Sequence, residues 1–210
     1  VLYQSWDECG GYNFIRKAHE EQQASGRIIP QINEEYGYED HYPPWGCGAT
    51  ATKQPHFRDA MHRIQLAWEM CMAGGYQTTG ETAGEGTGAG NDEGGGWING
   101  RGNDRMKMLS YYRIMRDCFE KTAWWKMEPA NELVPYGDLC LADSSNEIIA
   151  YFRTHHARVA LPQGAIYTVR LIDPVSGKEE MIEDFKATNA AWQYPKPLDR
   201  HLVVILKKKL

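Results

Sequence analysis

The chain has 210 residues, 42% of them hydrophobic and 24% charged, with a net charge of −5 at neutral pH. Those values are ordinary for a soluble globular protein and allow one large or two small domains with cores of their own. They speak against a nucleic-acid partner, since the one basic block is Lys207-Lys208-Lys209 at the tail, and against a membrane span, since no apolar run approaches about 18 residues.

No signal segment opens the chain, which starts Val1-Leu2-Tyr3-Gln4 without Met and inside an expected strand. We therefore expect a piece of a longer chain, in which a missing targeting segment says little about compartment. Cys9, Cys47, Cys71, Cys118 and Cys140 are odd in number and share no metal-type spacing, so at least one is unpaired within the chain. Cys71 and Cys118 fall inside amphipathic patterns and are expected as core thiols. Cys9 and Cys47 fall in loops, and pairing between them stays open.

Taken in order, Val1 to Ser5 reads as a strand that runs into a loop carrying Trp6, Asp7 and Glu8. Asn13 is a suitable N-cap for a helix from Phe14 to about Ala24, stopped by Gly26. The β-branched run Ile28, Ile29 and Ile32 then predicts a buried strand, whose C-terminal end and following loop hold Asn33 to Glu39. Prolines and glycines exclude regular structure from His41 to Gly46.

Phe57, Met61, Ile64, Trp68 and Cys71 recur at intervals of three and four, which predicts a helix with one buried stripe. A short strand from Tyr76 to Thr79 follows and delivers Glu81 to the same end as Glu35. Thr82 to Asn103 is glycine-rich and reads as a lid, because loops of that length are usually functional or disordered. Asp104 caps a further helix burying Met108, Tyr112, Met115 and Phe119 and ending near Trp124-Trp125. The two tryptophans are expected as packing anchors at a domain junction.

Strand, helix, strand, helix, strand, helix is a βα repeat with crossovers of parallel-sheet length. After Pro129 the pattern changes to short alternating runs, Glu147 to Phe152, Ala157 to Leu161, Ala165 to Ile172, Glu180 to Phe185 and His201 to Leu206. Tyr167, Val169 and Leu171 alternate with Thr168 and Arg170, as in a half-buried antiparallel strand. The expected fold class is therefore α/β plus all-β, with a small antiparallel β-sandwich from about residue 130 to the end.

Ile32-Asn-Glu-Glu-Tyr-Gly-Tyr-Glu39, Ala73-Gly-Gly-Tyr-Gln-Thr-Thr-Gly80, Trp97-Ile-Asn-Gly100 and Trp124-Trp-Lys-Met-Glu-Pro129 together resemble the apiosidase-like glycoside hydrolases, (β/α)8 barrels once described as a domain of unknown function. The resemblance covers nearly the whole chain. It implies that residues 1–128 are the C-terminal three βα units of a TIM barrel, strands six to eight, and that residues 129–210 are a β-sandwich accessory domain of the collagen-binding type. It also implies that the first five units lie in a missing N-terminal part or on a separate chain, and it favours a secreted or periplasmic protein.

Carboxylates at a strand end beside aromatic rings suit work on a sugar, as acid, base or nucleophile with stacking faces nearby. Alignment on Asn33 and the Tyr38-Glu39 pair places the family's strand-seven catalytic glutamate on Glu35, with Glu34 its competitor. On a regular strand the two would point to opposite faces. The partner carboxylate of the family comes from about the fourth strand, outside this chain. Trp6-Asp7 departs from the family, which tends to carry a small residue and histidine there.

Tyr36, Tyr38 and Trp97 are candidates for stacking on sugar or for loop packing, and Trp6, Asp7, Glu39 and Glu81 for binding substrate or for local caps and solvated acids. Neither a cofactor nor a metal is expected. The glycine-rich loop lacks the ending of a phosphate-binding loop, and His155-His156 has no further ligand nearby. Two functional classes stand. One is a two-carboxylate glycosidase acting on plant or microbial polysaccharide or oligosaccharide. The other is a non-catalytic carbohydrate- or protein-binding module derived from such a barrel.

Overall fold

A computed structural model describes residues 1–5, 11–36, 60–78 and 107–209. The chain divides into two compact units, Val1–Tyr112 and Arg113–Leu210. The first alternates β1 (Leu2–Gln4), α1 (Gly11–Ser25), β2 (Ile32–Glu35), α2 (Ala60–Met72), β3 (Tyr76–Gln77) and the start of α3 (Lys107–Phe119). Its strands form a parallel sheet in the order β1-β2-β3. Three consecutive βα units followed by an antiparallel β region match the βα repeat and β-sandwich that the patterning predicts and the partial TIM barrel that the resemblance implies.

The periodic residues form the helical cores. Ile15 of α1 is buried, as are Ile64, Ala67 and Trp68 of α2 and Met108 and Met115 of α3. Helix α1 begins at Gly11, earlier than a cap at Asn13 would start it. It packs closely on the entry to β3, where a Cβ on Gly75 would stand 2.7 Å from Ile15 Cγ2. Burial pushes the thiols of Cys71 and Cys118 up to about 12, which keeps both protonated at neutral pH.

The position of β2 corrects the expectation drawn from its isoleucines. Ile28 is exposed and precedes the strand, which starts only at Ile32. Pro30 has no N–H to give a ladder and holds its predecessor in extended geometry. The ladder begins beyond it, with Ile32 N–H donating to the Val1 carbonyl at 2.9 Å. The strand proper is therefore the polar stretch Ile32-Asn33-Glu34-Glu35.

The second unit holds a six-stranded sheet in the order β4-β5-β6-β11-β8-β9 and a two-stranded ladder β10-β7. Here β4 is Glu128–Pro129, β5 Leu139–Asp143, β6 Glu147–Phe152, β7 Arg158–Ala160, β8 Ile166–Ile172, β9 Glu179–Lys186, β10 Ala191–Gln193 and β11 Leu202–Lys208. All pairings are antiparallel. Both sheets feed one core, with Val159 and Trp192 from the small ladder meeting Phe152, Tyr167, Val169 and Val204 from the large sheet.

The edges of the large sheet are blunted. β4 is two residues long and contains a proline, while β9 carries exposed charges and a register irregularity near Asp184, whose φ is 55°. Trp124 and Trp125 form a short 3₁₀ turn, with rings edge to face at 6.0 Å. Trp125 is 66% exposed, so its ring is not the buried anchor expected of it. Among the described residues no helix is long and apolar enough to cross a membrane.

Candidate active site

Parallel strands bring their C-terminal ends to one side of a sheet, and in βα folds that side carries the chemistry. Here it gathers Ser5, Glu35 and Thr78. The register is irregular: Tyr3 pairs with Asn33, but Gln4 pairs with Glu35, which leaves Glu34 as an extra residue in β2. A bulge of this kind re-aims side chains at a strand end. The strict alternation expected of Glu34 and Glu35 therefore does not hold across this step.

Asn33 fixes the bulge. Its Nδ2 donates to the Ser5 carbonyl at 2.9 Å, and its Oδ1 accepts from the N–H groups of Ser5 and Glu35 at 3.2 and 3.3 Å. The side chain is 2% exposed, so these bonds satisfy a buried amide that would otherwise be costly. Sequence patterning marks Asn33 only as an alignment point. A polar, non-β-branched residue inside a strand is the signal for such a role.

Glu35 is half-buried, and its Oε2 accepts a hydrogen bond from Gln4 Nε2 at 3.1 Å. Tyr3, one residue before Gln4, turns the other way and packs on Phe14 of α1 with ring centroids 5.0 Å apart. Glu35 and Gln4 thus lie on the face of the sheet that α1 does not cover. The same face carries the register partners Leu2, Ile32 and Tyr76, of which Leu2 and Tyr76 are exposed. Glu34 is exposed.

Tyr36 lies deep, 2% exposed, with its carbonyl accepting from the buried Arg63 Nη1 at 3.3 Å. In this position the ring is a packing element. On the helix side of the sheet a void of about 10 Å³ adjoins Ser5, Asn33, Tyr36 and Glu69. That is at most the space of one water, so no sugar fits there. Trp6, Asp7, Tyr38, Glu39, Glu81 and Trp97, together with Cys9, Cys47 and the glycine-rich segment, lie outside the described residues. Among the described residues no group of three or more His, Cys, Asp or Glu side chains is placed to hold a metal ion.

The fold has relatives among solved structures. A glycoside hydrolase family 5 protein from Bacteroides vulgatus superposes with a TM-score of 0.68 at 15% identity, covering 93% of this chain and 45% of that one. A second structure, described as a glycoside hydrolase, superposes with a TM-score of 0.66 at 14% identity, over 91% of this chain and 45% of its own. No protein-family model matches the chain, and no curated protein matches it. The chain thus spans less than half the length of the structures it resembles, and at such identities the likeness is one of fold.

Proposed function

We propose that the chain is the C-terminal part of an apiosidase-like glycoside hydrolase that cleaves plant or microbial polysaccharide or oligosaccharide with Glu35 as its nucleophile. Residues 1–128 supply the last three βα units of the barrel and residues 129–210 an accessory β domain. The first five units come from a preceding segment or a separate chain, and the protein is secreted or periplasmic.

The observation that carries this reading is the carboxylate of Glu35. It stands at the C-terminal end of a parallel strand, on the face away from the helices, with one oxygen held by Gln4. In a closed barrel that face is the interior. The oxygen not bound to Gln4 is then the one to attack the anomeric carbon, while an acid from an earlier strand protonates the leaving oxygen. Tyr38 and Trp97 supply stacking faces, and Trp6, Asp7, Glu39 and Glu81 contact hydroxyls. Tyr36 supports the strand end from behind.

Glu35→Gln tests the reading in the complete assembly. The amide keeps the shape and removes the attacking charge, so turnover falls by about 10³-fold or more while substrate binding survives. Glu34→Gln, at an exposed position, costs far less. A structure of the assembly must also place a second carboxylate about 5–5.5 Å from Glu35 for retention, or about 6.5–9.5 Å for inversion. Full activity of Glu35→Gln, or no acid within the wider range, leaves the non-catalytic binding module as the function.

A further inference from the structure

We propose that the second unit carries its own carbohydrate site, for a single neutral pyranose residue, in the cleft between the β8–β9 turn and residues 194–202. This inference stands apart from Glu35 and holds whether or not the first unit is catalytic. The cleft has a volume of about 270 Å³. That is just below the roughly 300–1,000 Å³ of pockets for drug-sized ligands, and so suits one ring rather than a stretch of polymer.

The cleft is preformed. Asp173 accepts hydrogen bonds from the N–H groups of Val175 and Ser176 at 2.8 and 3.0 Å, and pairs with Arg200 Nη1 at 3.0 Å. One carboxylate thereby ties the turn to the segment leading into β11. Gly177, with φ of 71°, closes the turn where a side chain would be strained. His201, on the same wall, is fixed by a 2.7 Å hydrogen bond between Nδ1 and the Tyr151 hydroxyl.

Glu180 supplies the polar contact that the fold itself leaves unused. It is the register partner of Leu171 and shares its face, so it rises beside Leu171, Tyr194 and Leu198. Its neighbour Glu179 is instead held by Lys121 at 2.9 Å and Arg170 at 2.7 Å. Among the described residues no hydrogen bond or ion pair reaches the Glu180 carboxylate.

Ligand class follows from the mixture. An anion would face Glu180 and Asp199, and a cation would face Lys178 and Arg200. A neutral ring with adjacent hydroxyls satisfies both signs at once, donating to the carboxylate and accepting from the ammonium or guanidinium. Its C–H face then lies on Tyr194 and Leu198.

The test is a titration of the isotopically labelled full chain with glucose, galactose, mannose and xylose, read from resonances of Glu180, Tyr194 and His201. At least one sugar moves these resonances saturably. Glu180→Ala weakens that sugar about tenfold or more, and the shape-conserving Glu180→Gln weakens it less. Unchanged β11 resonances show that the fold survives in each variant. The proposal is overturned if no sugar moves the three residues, if a collagen-like peptide moves them and sugars do not, or if both Glu180 variants bind as tightly as the parent.

Discussion

The two units meet the demand for buried surface in different ways. The second closes on itself: two sheets share one core, and Ile148, Phe152, Tyr167, Val169, Trp192 and Val204 are 2% exposed or less. Among the described residues the first has a three-stranded sheet with β1 and β3 at its edges, and Leu2 is exposed at 64% and Tyr76 at 38% on the face away from α1. An α/β sheet of this kind is stable only when both faces are covered. The contrast is what the proposed function expects of a self-contained accessory domain and of a barrel sector that carries the candidate nucleophile.

Separating the units should give the largest effect. A fragment of residues 107–210, which keeps α3 whole, is expected to unfold in one reversible transition. Residues 1–112 alone are expected to aggregate or to need a complementary fragment, because among the described residues β1 and β3 are open parallel edges and Leu2 and Tyr76 are exposed on one face. Denaturant unfolding of both fragments checks this. A sharp reversible transition of monomeric 1–112 would refute the comparison.

Point substitutions sharpen it. Phe152→Ala removes a fully buried ring and should cost about 3–5 kcal/mol in chemical denaturation. Leu2→Ala in the same chain should stay within about 0.5 kcal/mol, as at an ordinary surface position. If further barrel units close over that face, as the proposed function requires, the same leucine change should cost about 2–5 kcal/mol. A Leu2 effect that does not grow on assembly would show that its face never becomes an interior.

Acid offers a smaller and more selective probe, since the groups involved all lie in the second unit. Burial pushes the carboxyls of Glu147, Asp173 and Glu179 up but is outweighed by their partners. These are Lys207 and the Ala123 N–H for Glu147, the Ser176 and Val175 N–H groups with Arg200 for Asp173, and Lys121 with Arg170 for Glu179. All three end below the ordinary carboxylate range. A depressed folded value adds stability above the unfolded values of about 3.9 to 4.3, and this is lost as pH falls through the folded ones. Burial, and then Arg153, lowers the His201 value against the pull of Asp138, so its contribution is present above about pH 6.5 and lost below. Stability of the 107–210 fragment should thus decline in two stages on acidification. His201→Gln should remove the upper stage only, and Asp173→Asn should flatten the lower. A single decline unaffected by either change would contradict the assignment.

How much of this was legible in the sequence depended on whether a residue's role was local. Helix faces announced themselves through spacing, as with Ile64 and Trp68, and the alternation of Tyr167, Val169 and Leu171 marked β8, because both periods follow from backbone geometry alone. β5 did not show: four of its five residues are buried, so no alternation exists to read. β10 is only three residues long. β-branched composition alone places β2 too early in the chain, because the missing N–H of Pro30 leaves no mark on a hydrophobic pattern. Glu35 could be found as an acid at a strand end. Its partner Gln4 could not, since which cross-strand neighbour meets it depends on a bulge set by Asn33 and the Ser5 backbone.

The smallest expected effect concerns Trp125, where composition and structure point in opposite directions. Two adjacent tryptophans suggest a buried anchor, and full burial would make truncation cost about 3–5 kcal/mol. With 66% of the residue exposed, what remains is its edge-to-face contact with Trp124, worth about 0.5–1.5 kcal/mol. Trp125→Ala should therefore lower the stability of the 107–210 fragment by no more than about 1.5 kcal/mol, well under the effect of Phe152→Ala. Denaturation of the two variants side by side decides it. A loss of 3 kcal/mol or more would mean that the ring is buried in solution and that the second unit's core extends to the 3₁₀ turn. A small loss in the fragment that becomes large in the complete assembly would instead make Trp125 a contact that only assembly covers, as proposed for Leu2.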